Sequence, residues 1–588
     1  MSQHPGPTHR TDAAEHGTSP WMPAAIALVF LLALAMLMAH LGRFPLMAPD
    51  EVRNAEVGRE MFVSGDWLVP TYNGLPYLDK PCFFFKCVAI SFEAFGVHEG
   101  AARLPSALSG LLLLVAMYLF ARRMYGGRVA VMAVAIVATM PFFVVFSRLV
   151  IMDMMFTLFV SLAIFAGFLG EEHEGRRRML WHLAGAAAAA LATLVKGPVG
   201  FLLYWIVLTV FFVCDRRPRA ILRLFSPLNL VVLFGLVLPW FLLLSERHPD
   251  FPHYGIVRET FARFTQGEVF RRRKPFYFYG PLIVGACFVW SVLLPGAMAA
   301  AWKARGNWMR ADRLCVAWAC AVVIFFSIPH SKQPGYILSI MVPLGLLVAR
   351  VFAAAMEGTC APAVNTVRRG TTALAVLCLA LAGGIGSIML FPADATHWLH
   401  CDRADLDAML PHLKSLVVTS VVFAGLAAFV RQRRSVCLAF LLFAAFFPVL
   451  AWAGFGGLEA YAETRSKHSV VGRMPPLPPN TQLVSLQGFS LYLPFYMQRT
   501  LTLVTEKGKE LPSNYIPYYL SITEPWPPNV VHLRDQDGWL AAQARPLYVI
   551  GNKYSRATLQ RLAEENQVEI RELSHGYFGV LLDRAEEP

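Results

Sequence analysis

The stretch W-M-P-A-A-I-A-L-V-F-L-L-A-L-A-M-L-M-A-H-L-G-R-F-P-L-M-A-P-D-E-V-R, residues 21–53, joins a long apolar run to two adjacent carboxylates, Asp50 and Glu51. The run ends near residue 40 and is long enough to cross a bilayer, which takes about 20 apolar residues. A carboxylate close to hydrocarbon is costly unless it is solvated or has a function. The stretch therefore predicts a membrane helix that leads into a polar loop with a chemical role.

Apolar runs of similar length recur along most of the chain. Of its 588 residues, 56% are hydrophobic and 15% are charged, whereas soluble domains carry about 25% charged residues. We therefore predict an α-helical polytopic membrane protein with about thirteen crossings, counted at about 20 residues each. The predicted crossings lie near residues 21–40, 102–121, 129–146, 153–170, 180–195, 198–214, 225–244, 279–302, 314–328, 336–355, 371–391, 415–430 and 436–455.

The two ends of the chain have a different composition. Residues 1–20 are polar, and we expect a disordered cytoplasmic tail; no A-x-A-like cleavage site follows the first apolar run, so we expect that helix to be retained. Residues 21–455 would form the membrane domain and residues 456–588 a small external α/β domain. That domain could cap a site, meet a partner or only stabilise the protein. Its predicted strands are 481–486, 500–504, 546–551, 568–573 and 577–583, with helical stretches at 489–496 and 555–566.

Lysine and arginine are concentrated in alternate loops, as at 122–128, 176–178 and 216–223. Because such loops stay in the cytoplasm, the loop from Asp50 to Lys80 and everything after 456 should be external. The net charge of +13 is then largely a signal of topology, and it does not require a nucleic-acid partner.

One predicted external loop, residues 245–278, is basic against this trend. A bound anion such as a lipid phosphate would explain the cluster, and a solvated stripe that touches lipid headgroups is the alternative. Its basic residues are Arg258, Arg263, Arg271, Arg272, Arg273 and Lys274.

Further charged residues lie at the predicted external face. Asp153 begins an apolar run, either as a functional carboxylate or as a helix-start residue paired with Arg148. Lys80 could bind a phosphate or extend its ammonium to the interface, and Lys196 is a weaker case of the same kind. Residues 327–340, I-P-H-S-K-Q-P-G-Y-I-L-S-I after Ser327, add Lys332 and Tyr336 between apolar runs.

Three motifs together carry a family resemblance: D-E-V-R-N-A-E-V-G-R-E-M, G-D-W-L-V-P-T-Y-N-G-L-P-Y-L-D-K-P and A-A-R-L-P-S-A-L-S-G. They resemble the first part of the aminoarabinose transferases of lipid A and, more distantly, the protein O-mannosyltransferases. Both are GT-C-fold families that take a sugar from a polyprenyl phosphate. The segment S-K-Q-P-G-Y-I-L-S-I and the plan of thirteen crossings with an external C-terminal domain resemble the same families.

The resemblance implies roles for individual residues. Asp50 and Asp153 would be the catalytic carboxylates. The substrate-binding residues would be Glu51, Arg53, Lys80, Arg263, Lys332 and Tyr336. A divalent cation (Mg²⁺, Mn²⁺ or Zn²⁺) could be bound by Asp79 and Glu259, although Asp79 stands where the transferase has glutamate and Thr260 where it has histidine.

The function that follows is an integral glycosyltransferase of the bacterial inner membrane. It would move a sugar from undecaprenyl phosphate to a lipid A-like glycolipid at the periplasmic face, by a single inverting displacement. A protein hydroxyl is the alternative acceptor. A lipid or sugar transporter is a further alternative, but charged groups gathered at one face fit it poorly, because transporters place them near the bilayer midplane.

Overall fold

The structure, a computed structural model, describes residues 22–262, 274–303, 305–399, 402–465, 468–574 and 576–583. The tail predicted at 1–20 lies outside these ranges. Helices dominate the chain up to residue 465. They are α1 (Met22–Met38), α2 (Asp50–Ser64), α3 (Phe83–Phe95), α4 (Glu99–Tyr125), α5 (Gly127–Ala138), α6 (Pro141–Ser147), α7 (Asp153–Gly170), α8 (Gly175–Lys196), α9 (Val199–Cys214), α10 (Arg219–Leu224), α11 (Pro227–Arg247), α12 (Tyr279–Ala286), α13 (Leu294–Lys303), α14 (Arg310–Ser327), α15 (Met341–Met356), α16 (Ala361–Leu390), α17 (Pro392–Leu399), α18 (Arg403–Arg433) and α19 (Val436–Arg465).

The helices of a polytopic membrane protein are present. Within the described residues, eight helices are long and apolar enough to cross a membrane, and ten if each of two bent pairs counts as one span. The apolar helices α1 and α9 are shorter, and α14 has 18 residues. Every predicted crossing thus coincides with a helix or a bent pair, which confirms the fold class.

Three predicted crossings differ in detail. The run at 129–146 bends by 68° between α5 and α6, because Pro141 starts α6 and disfavours helical backbone at the residue before it. The run at 279–302 also bends, by 109°. The last helix, α19, continues to Arg465 rather than ending near residue 455.

The polar segment after α1 is a folded unit rather than an open loop. It consists of α2, the short hairpin strands β1 (Thr71–Tyr72) and β2 (Leu75–Pro76), and α3. Most of α2 is buried, including the charged side chains of Glu51, Glu56 and Arg59. We call residues 50–80 the platform, because this segment carries the candidate site residues Asp50, Arg53, Asp79 and Lys80.

The helix α7 lies at the centre of the membrane part. Of its residues, 89% are buried, and the helix packs against α4, α8 and α9. In contrast, only 17% of the apolar window of α11 and of α16 is buried, which leaves their apolar side chains for lipid contact. The carboxylate at the start of α7 is therefore enclosed by protein on several sides.

The C-terminal part forms a mixed six-stranded sheet. Its strands are β3 (Gln482–Leu486), β4 (Thr502–Thr505), β5 (Val530–His532), β6 (Leu547–Asn552), β7 (Arg571–Ser574) and β8 (Tyr577–Leu582). The order is β5-β4-β3-β6-β8-β7; the first four strands are parallel, and β8 is antiparallel to β6 and β7. The helices of this part are His468–Gly472, Tyr492–Met497, Tyr515–Ile522, Gln536–Ala542 and Arg556–Glu565.

The sequence prediction found five of the six strands and the helices near 489–496 and 555–566. It missed the three-residue strand β5 and three helices, His468–Gly472, Tyr515–Ile522 and Gln536–Ala542. A strand of three residues is too short for a period-2 pattern to stand out. Of the missed helices, Tyr515–Ile522 matters most for the site, because the Tyr515 N–H in its first turn donates to Asp79 of the platform.

The hairpin turn at Asn73 joins the platform to the C-terminal sheet. Asn73 is buried; its amide nitrogen donates to the carbonyl of Leu501 over 2.9 Å, and its side-chain oxygen accepts from the Leu501 N–H over 2.8 Å. The side chain of Asn529 donates to the Asn73 carbonyl over 2.6 Å. Asn73 also has a positive φ of 54°, which asparagine tolerates better than most residues.

We expect Asn73→Ala to lower the free energy of unfolding by about 2–4 kcal/mol, because two buried hydrogen bonds are lost and backbone groups of Leu501 are left unpaired. Thermal unfolding of the detergent-solubilised protein measures the change. Asn480 also has a positive φ, 64°, but is exposed, so Asn480→Ala controls for backbone strain. Equal losses in both variants would contradict the prediction.

Candidate active site

A cavity of about 300 Å³ lies between the end of the platform and the membrane helices. Most of its wall is apolar, with aromatic side chains from α7, α9, α11 and α14. Concave apolar sites with a few polar groups are typical of ligand binding. The polar groups that line this one are Asp79, Lys80, Thr193, Lys196, Ser331, Gln333 and Tyr336.

An ion pair lies at the cavity. The ammonium of Lys196, the last residue of α8, is 2.5 Å from Oδ1 of Asp153, the first residue of α7. Both side chains are nearly buried, with 10% and 12% of their surface exposed. The same ammonium lies 5.2 Å from the ring centre of Phe156 and 5.0 Å from that of Tyr336.

The alternative interpretation of Asp153, a pair with Arg148, does not fit the structure. The guanidinium of Arg148 donates to the carbonyls of Met36 and Ala39, both over 2.7 Å. Asp153 instead faces Lys196, and a Cβ added at Gly335 would collide with its carboxylate. The backbone near Tyr336 can therefore approach Asp153 only because residue 335 is glycine.

Lys80 and Asp79 form another part of the cavity wall. The carboxylate of Asp79 is buried and accepts hydrogen bonds from the Tyr254 hydroxyl (2.6 Å), the Ser513 hydroxyl (2.6 Å) and the N–H groups of Asn514 and Tyr515. Lys80 follows directly on this fixed residue, so the backbone that carries its ammonium is held in place.

Asp50 and Arg53 lie at the start of α2, and neither of them lines the cavity. A guanidinium nitrogen of Arg53 is 2.6 Å from Asp50 Oδ1, and the side chain of Asp50 is 52% exposed. Burial by itself would lower the pKa of Arg53, but Tyr77, Asp50 and Asp79 outweigh this effect and raise it above its ordinary value. Arg53 therefore remains a cation, placed between the exposed Asp50 and the group around Asp79.

Comparison with known proteins first identifies relatives over part of the chain. The family described as dolichyl-phosphate-mannose-protein mannosyltransferase matches residues 79–242. An undecaprenyl phosphate-alpha-4-amino-4-deoxy-L-arabinose arabinosyl transferase of Photorhabdus laumondii is 31% identical over 328 residues, 55% of this chain and 58% of that protein. A second transferase of this name, from Sodalis glossinidius, is 32% identical over 333 residues, with the same coverage of 55% and 58%. The matched region thus spans little more than half of these curated relatives.

The structural comparison covers nearly the whole chain. The crystal structure of ArnT from Cupriavidus metallidurans bound to undecaprenyl phosphate matches with a TM-score of 0.79 and 24% identity, over 96% of this chain and 99% of that one. This chain therefore has the GT-C fold of that structure.

Glu51 does not line the cavity. Its carboxylate forms a bidentate ion pair with the guanidinium of Arg103, over 2.9 and 3.0 Å. It also accepts hydrogen bonds from the N–H groups of Met47 and Val150, both over 2.9 Å. Only 2% of its surface is exposed. The prediction of Glu51 as a substrate-binding residue is therefore corrected: Glu51 connects the platform to the segment that leads into Asp153.

Lys332 does not line the cavity either. Its ammonium donates to the carbonyls of Pro329 (2.5 Å) and Lys274 (3.4 Å), and burial lowers its pKa below the ordinary value. Two backbone carbonyls therefore accept from its three donors, and the predicted substrate contact of Lys332 stays a prediction. Tyr336 does line the cavity, together with Ser331 and Gln333.

The basic segment predicted to bind an anion lies largely outside the described residues. This applies to Arg263 and to Arg271–Arg273, and the side chain of Glu259 is likewise not described. Arg258 is described; it is exposed, and its guanidinium lies 4.8 Å from the ring centre of Tyr518. The predicted roles of Arg263 and Glu259 stay predictions.

The residues around Asp79 do not fit a divalent cation. Both carboxylate oxygens accept hydrogen bonds from protein donors, which point hydrogens at the positions a cation would occupy. Within the described part of the chain, no group of three or more His, Cys, Asp or Glu side chains could hold a metal ion. We therefore derive no chemical step that uses a cation.

From the sequence, Lys196 was the weaker candidate for phosphate binding and Ser513 was not a candidate, yet Lys196 lines the cavity and Ser513 donates to Asp79. The signal for Lys196 was present, since it ends an apolar run directly before G-P-V-G, yet nothing local identified Asp153 as its partner. Ser513 carries no signal, because it lies 434 residues from Asp79.

Proposed function

We propose that this ArnT-like protein transfers a sugar from an undecaprenyl phosphate carrier to a lipid A-like glycolipid. The observation that carries the proposal is the apolar cavity whose wall holds two lysines, Lys80 and Lys196, beside the carboxylate of Asp153. A polyprenyl phosphate combines a long hydrocarbon chain with an anionic head, and this wall matches both parts. The names of the curated relatives support the same donor and sugar class.

The lysines would bind the carrier phosphate. When the bond between sugar and phosphate breaks, the phosphate leaves with the electron pair, and its negative charge grows in the transition state. Fixed cations stabilise that charge, and losing one such group typically costs about 10²–10³ in rate. Asp153 keeps the ammonium of Lys196 at the cavity wall, over 2.5 Å.

Asp50 would act as the general base. An acceptor hydroxyl or phosphate oxygen attacks the anomeric carbon from the side opposite the leaving phosphate, and Asp50 orients it and takes up its proton where it carries one. The side chain is exposed and Arg53 orients it, so an acceptor can reach it from outside. A single displacement of this kind inverts the configuration at the sugar carbon.

We place the reaction at the periplasmic face of a bacterial inner membrane, with the N-terminus in the cytoplasm and the C-terminal sheet in the periplasm. Arginine-rich loops support this orientation. They follow α4, α7 and α9, at the ends of these helices opposite to the platform.

A protein hydroxyl is the second candidate acceptor. The match of residues 79–242 to a protein mannosyltransferase family favours it, and the donor chemistry would be unchanged. Mass spectrometry of envelope lipids and proteins from a deletion strain separates the two acceptors: loss of a sugar-modified lipid supports the glycolipid, and loss of glycopeptides supports the protein. Accumulation of substrate in sealed vesicles without a covalent product would instead identify a transporter.

The proposal is tested with Asp50→Asn in lipid nanodiscs that contain lipid A and a labelled undecaprenyl-phosphate-linked aminoarabinose. We expect the turnover rate to fall by about 10²–10⁴, the usual contribution of a general base. Asp66→Asn is the matched control, since Asp66 is also a platform carboxylate paired with an arginine: it lies 2.7 Å from Arg247, as Asp50 lies 2.6 Å from Arg53. Undiminished transfer by Asp50→Asn would remove Asp50 from the mechanism.

A further inference from the structure

The carboxylate of Asp79 is held mainly by the C-terminal part of the chain. The Ser513 hydroxyl donates to Oδ2 over 2.6 Å, the Asn514 N–H lies 3.0 Å from the same oxygen, and the Tyr515 N–H donates to Oδ1 over 3.1 Å. The Tyr254 hydroxyl adds a bond of 2.6 Å to Oδ1. Hydrogen bonds to a charged acceptor are about twice as strong as neutral ones.

The segment that supplies these donors, residues 512–515, is itself held by further hydrogen bonds. The Ser513 hydroxyl accepts from the N–H groups of Tyr515 and Ile516, both over 3.1 Å, which caps the first turn of the helix Tyr515–Ile522. The hydroxyl of Tyr515 donates to Asp250 over 2.7 Å. We call residues 512–515 the clasp.

The clasp also contacts the second charged group of the platform. A guanidinium nitrogen of Arg53 donates to the Pro512 carbonyl over 3.2 Å, while another holds Asp50. One short segment therefore restrains Asp79, next to Lys80, and Arg53, next to Asp50.

We propose that the clasp is a positioning element of the active site: through Asp79 and Arg53 it places Lys80 and Asp50, and hydrogen bonds from the protein, rather than a metal ion, hold Asp79. The inference rests on the proposed transfer reaction. It assigns the C-terminal part a role beyond stability, since removing one donor should alter the placement of the lysine without unfolding the sheet.

The test compares Ser513→Ala, Ser513→Thr and Ser521→Ala in the full-length protein. We expect Ser513→Ala to lower kcat about tenfold, the effect of losing one charge-assisted bond, while the KM for a phosphate-linked donor changes less. Threonine keeps the hydroxyl and should restore most of the rate. Ser521 lies within the helix Tyr515–Ile522, which Ser513 precedes, and its hydroxyl donates to the Tyr518 carbonyl, so Ser521→Ala should behave as wild type.

The double variant Ser513→Ala with Asp79→Asn separates positioning from a general loss of stability. If the two residues act as a unit, the double variant is no slower than Asp79→Asn alone, because neighbouring residues in one network are not additive. Additive losses, or equal losses in Ser513→Ala and Ser521→Ala, would overturn the inference. So would a wild-type protein that loses transfer on chelation and regains it with Zn²⁺ or Mg²⁺.

Hydrogen exchange tests the clasp independently of any reaction. We expect amides of residues 77–86 to exchange faster in Ser513→Ala than in wild type or Ser521→Ala, because the restraint on Asp79 is weakened. If wild type transfers no sugar but this difference is present, the proposed function fails and the clasp stands. Unchanged exchange in Ser513→Ala, with transfer intact in wild type, overturns the clasp alone.

Discussion

Lys196→Met should reduce sugar transfer by about 10²–10³, the loss typical of one fixed group that stabilises developing charge. The change removes a cation from the cavity wall and leaves the carboxylate of Asp153, 12% exposed, without its 2.5 Å partner. The negative charge of the Asp153 carboxylate would then repel the leaving phosphate. Steady-state transfer in nanodiscs measures the effect.

Two variants show whether the position or only the charge of Lys196 matters. Lys196→Arg keeps a cation, although its planar group bonds differently from an ammonium, so we expect partial activity. Lys86→Met removes a lysine from α3 that does not line the cavity and should leave transfer unchanged. Equal rates for Lys196→Met and Lys86→Met would exclude Lys196 from the site.

Arg103→Met should destabilise the fold by about 3–5 kcal/mol, because it leaves Glu51 charged, buried and unpaired. Arg103 is 1% exposed, and besides Glu51 it donates to the carbonyls of Leu41, Phe44 and Pro45. Arg103 therefore fixes the segment 41–45, which leads into the platform. We expect a much lower thermal midpoint and little folded protein after purification.

The control for Arg103 is an arginine in an exposed ion pair. Arg43 lies 2.7 Å from Glu459 with half of its side chain exposed, so Arg43→Met should cost no more than about 1 kcal/mol. In the double variant Arg103→Met with Glu51→Gln the unpaired charge is removed, and part of the loss should be recovered. A single Arg103→Met that unfolds at the wild-type temperature would contradict the structural role of this pair.

The family motifs pointed to residues at the cavity without describing their geometry. Asp79 and Lys80 were singled out together as neighbours, and both line the cavity; the carboxylate of Asp79, however, serves as an acceptor for the clasp. Similarly, Asp50 and Glu51 are adjacent in the sequence, but one is exposed and the other is buried. On a helix, successive side chains point about 100° apart, so adjacent residues of one type can have different roles.

The sequence by itself determined the number and position of the apolar helices, most strands of the C-terminal sheet and the face that carries the charged groups. These features depend on local hydrophobicity and its period, which a short window of sequence contains. Tertiary structure alone decided the burial of Glu51, the ion pair of Asp153 with Lys196 and the hydrogen bond from Ser513 to Asp79. The partners are 43 and 434 residues apart, so their contact depends on how the whole chain packs and on no local pattern.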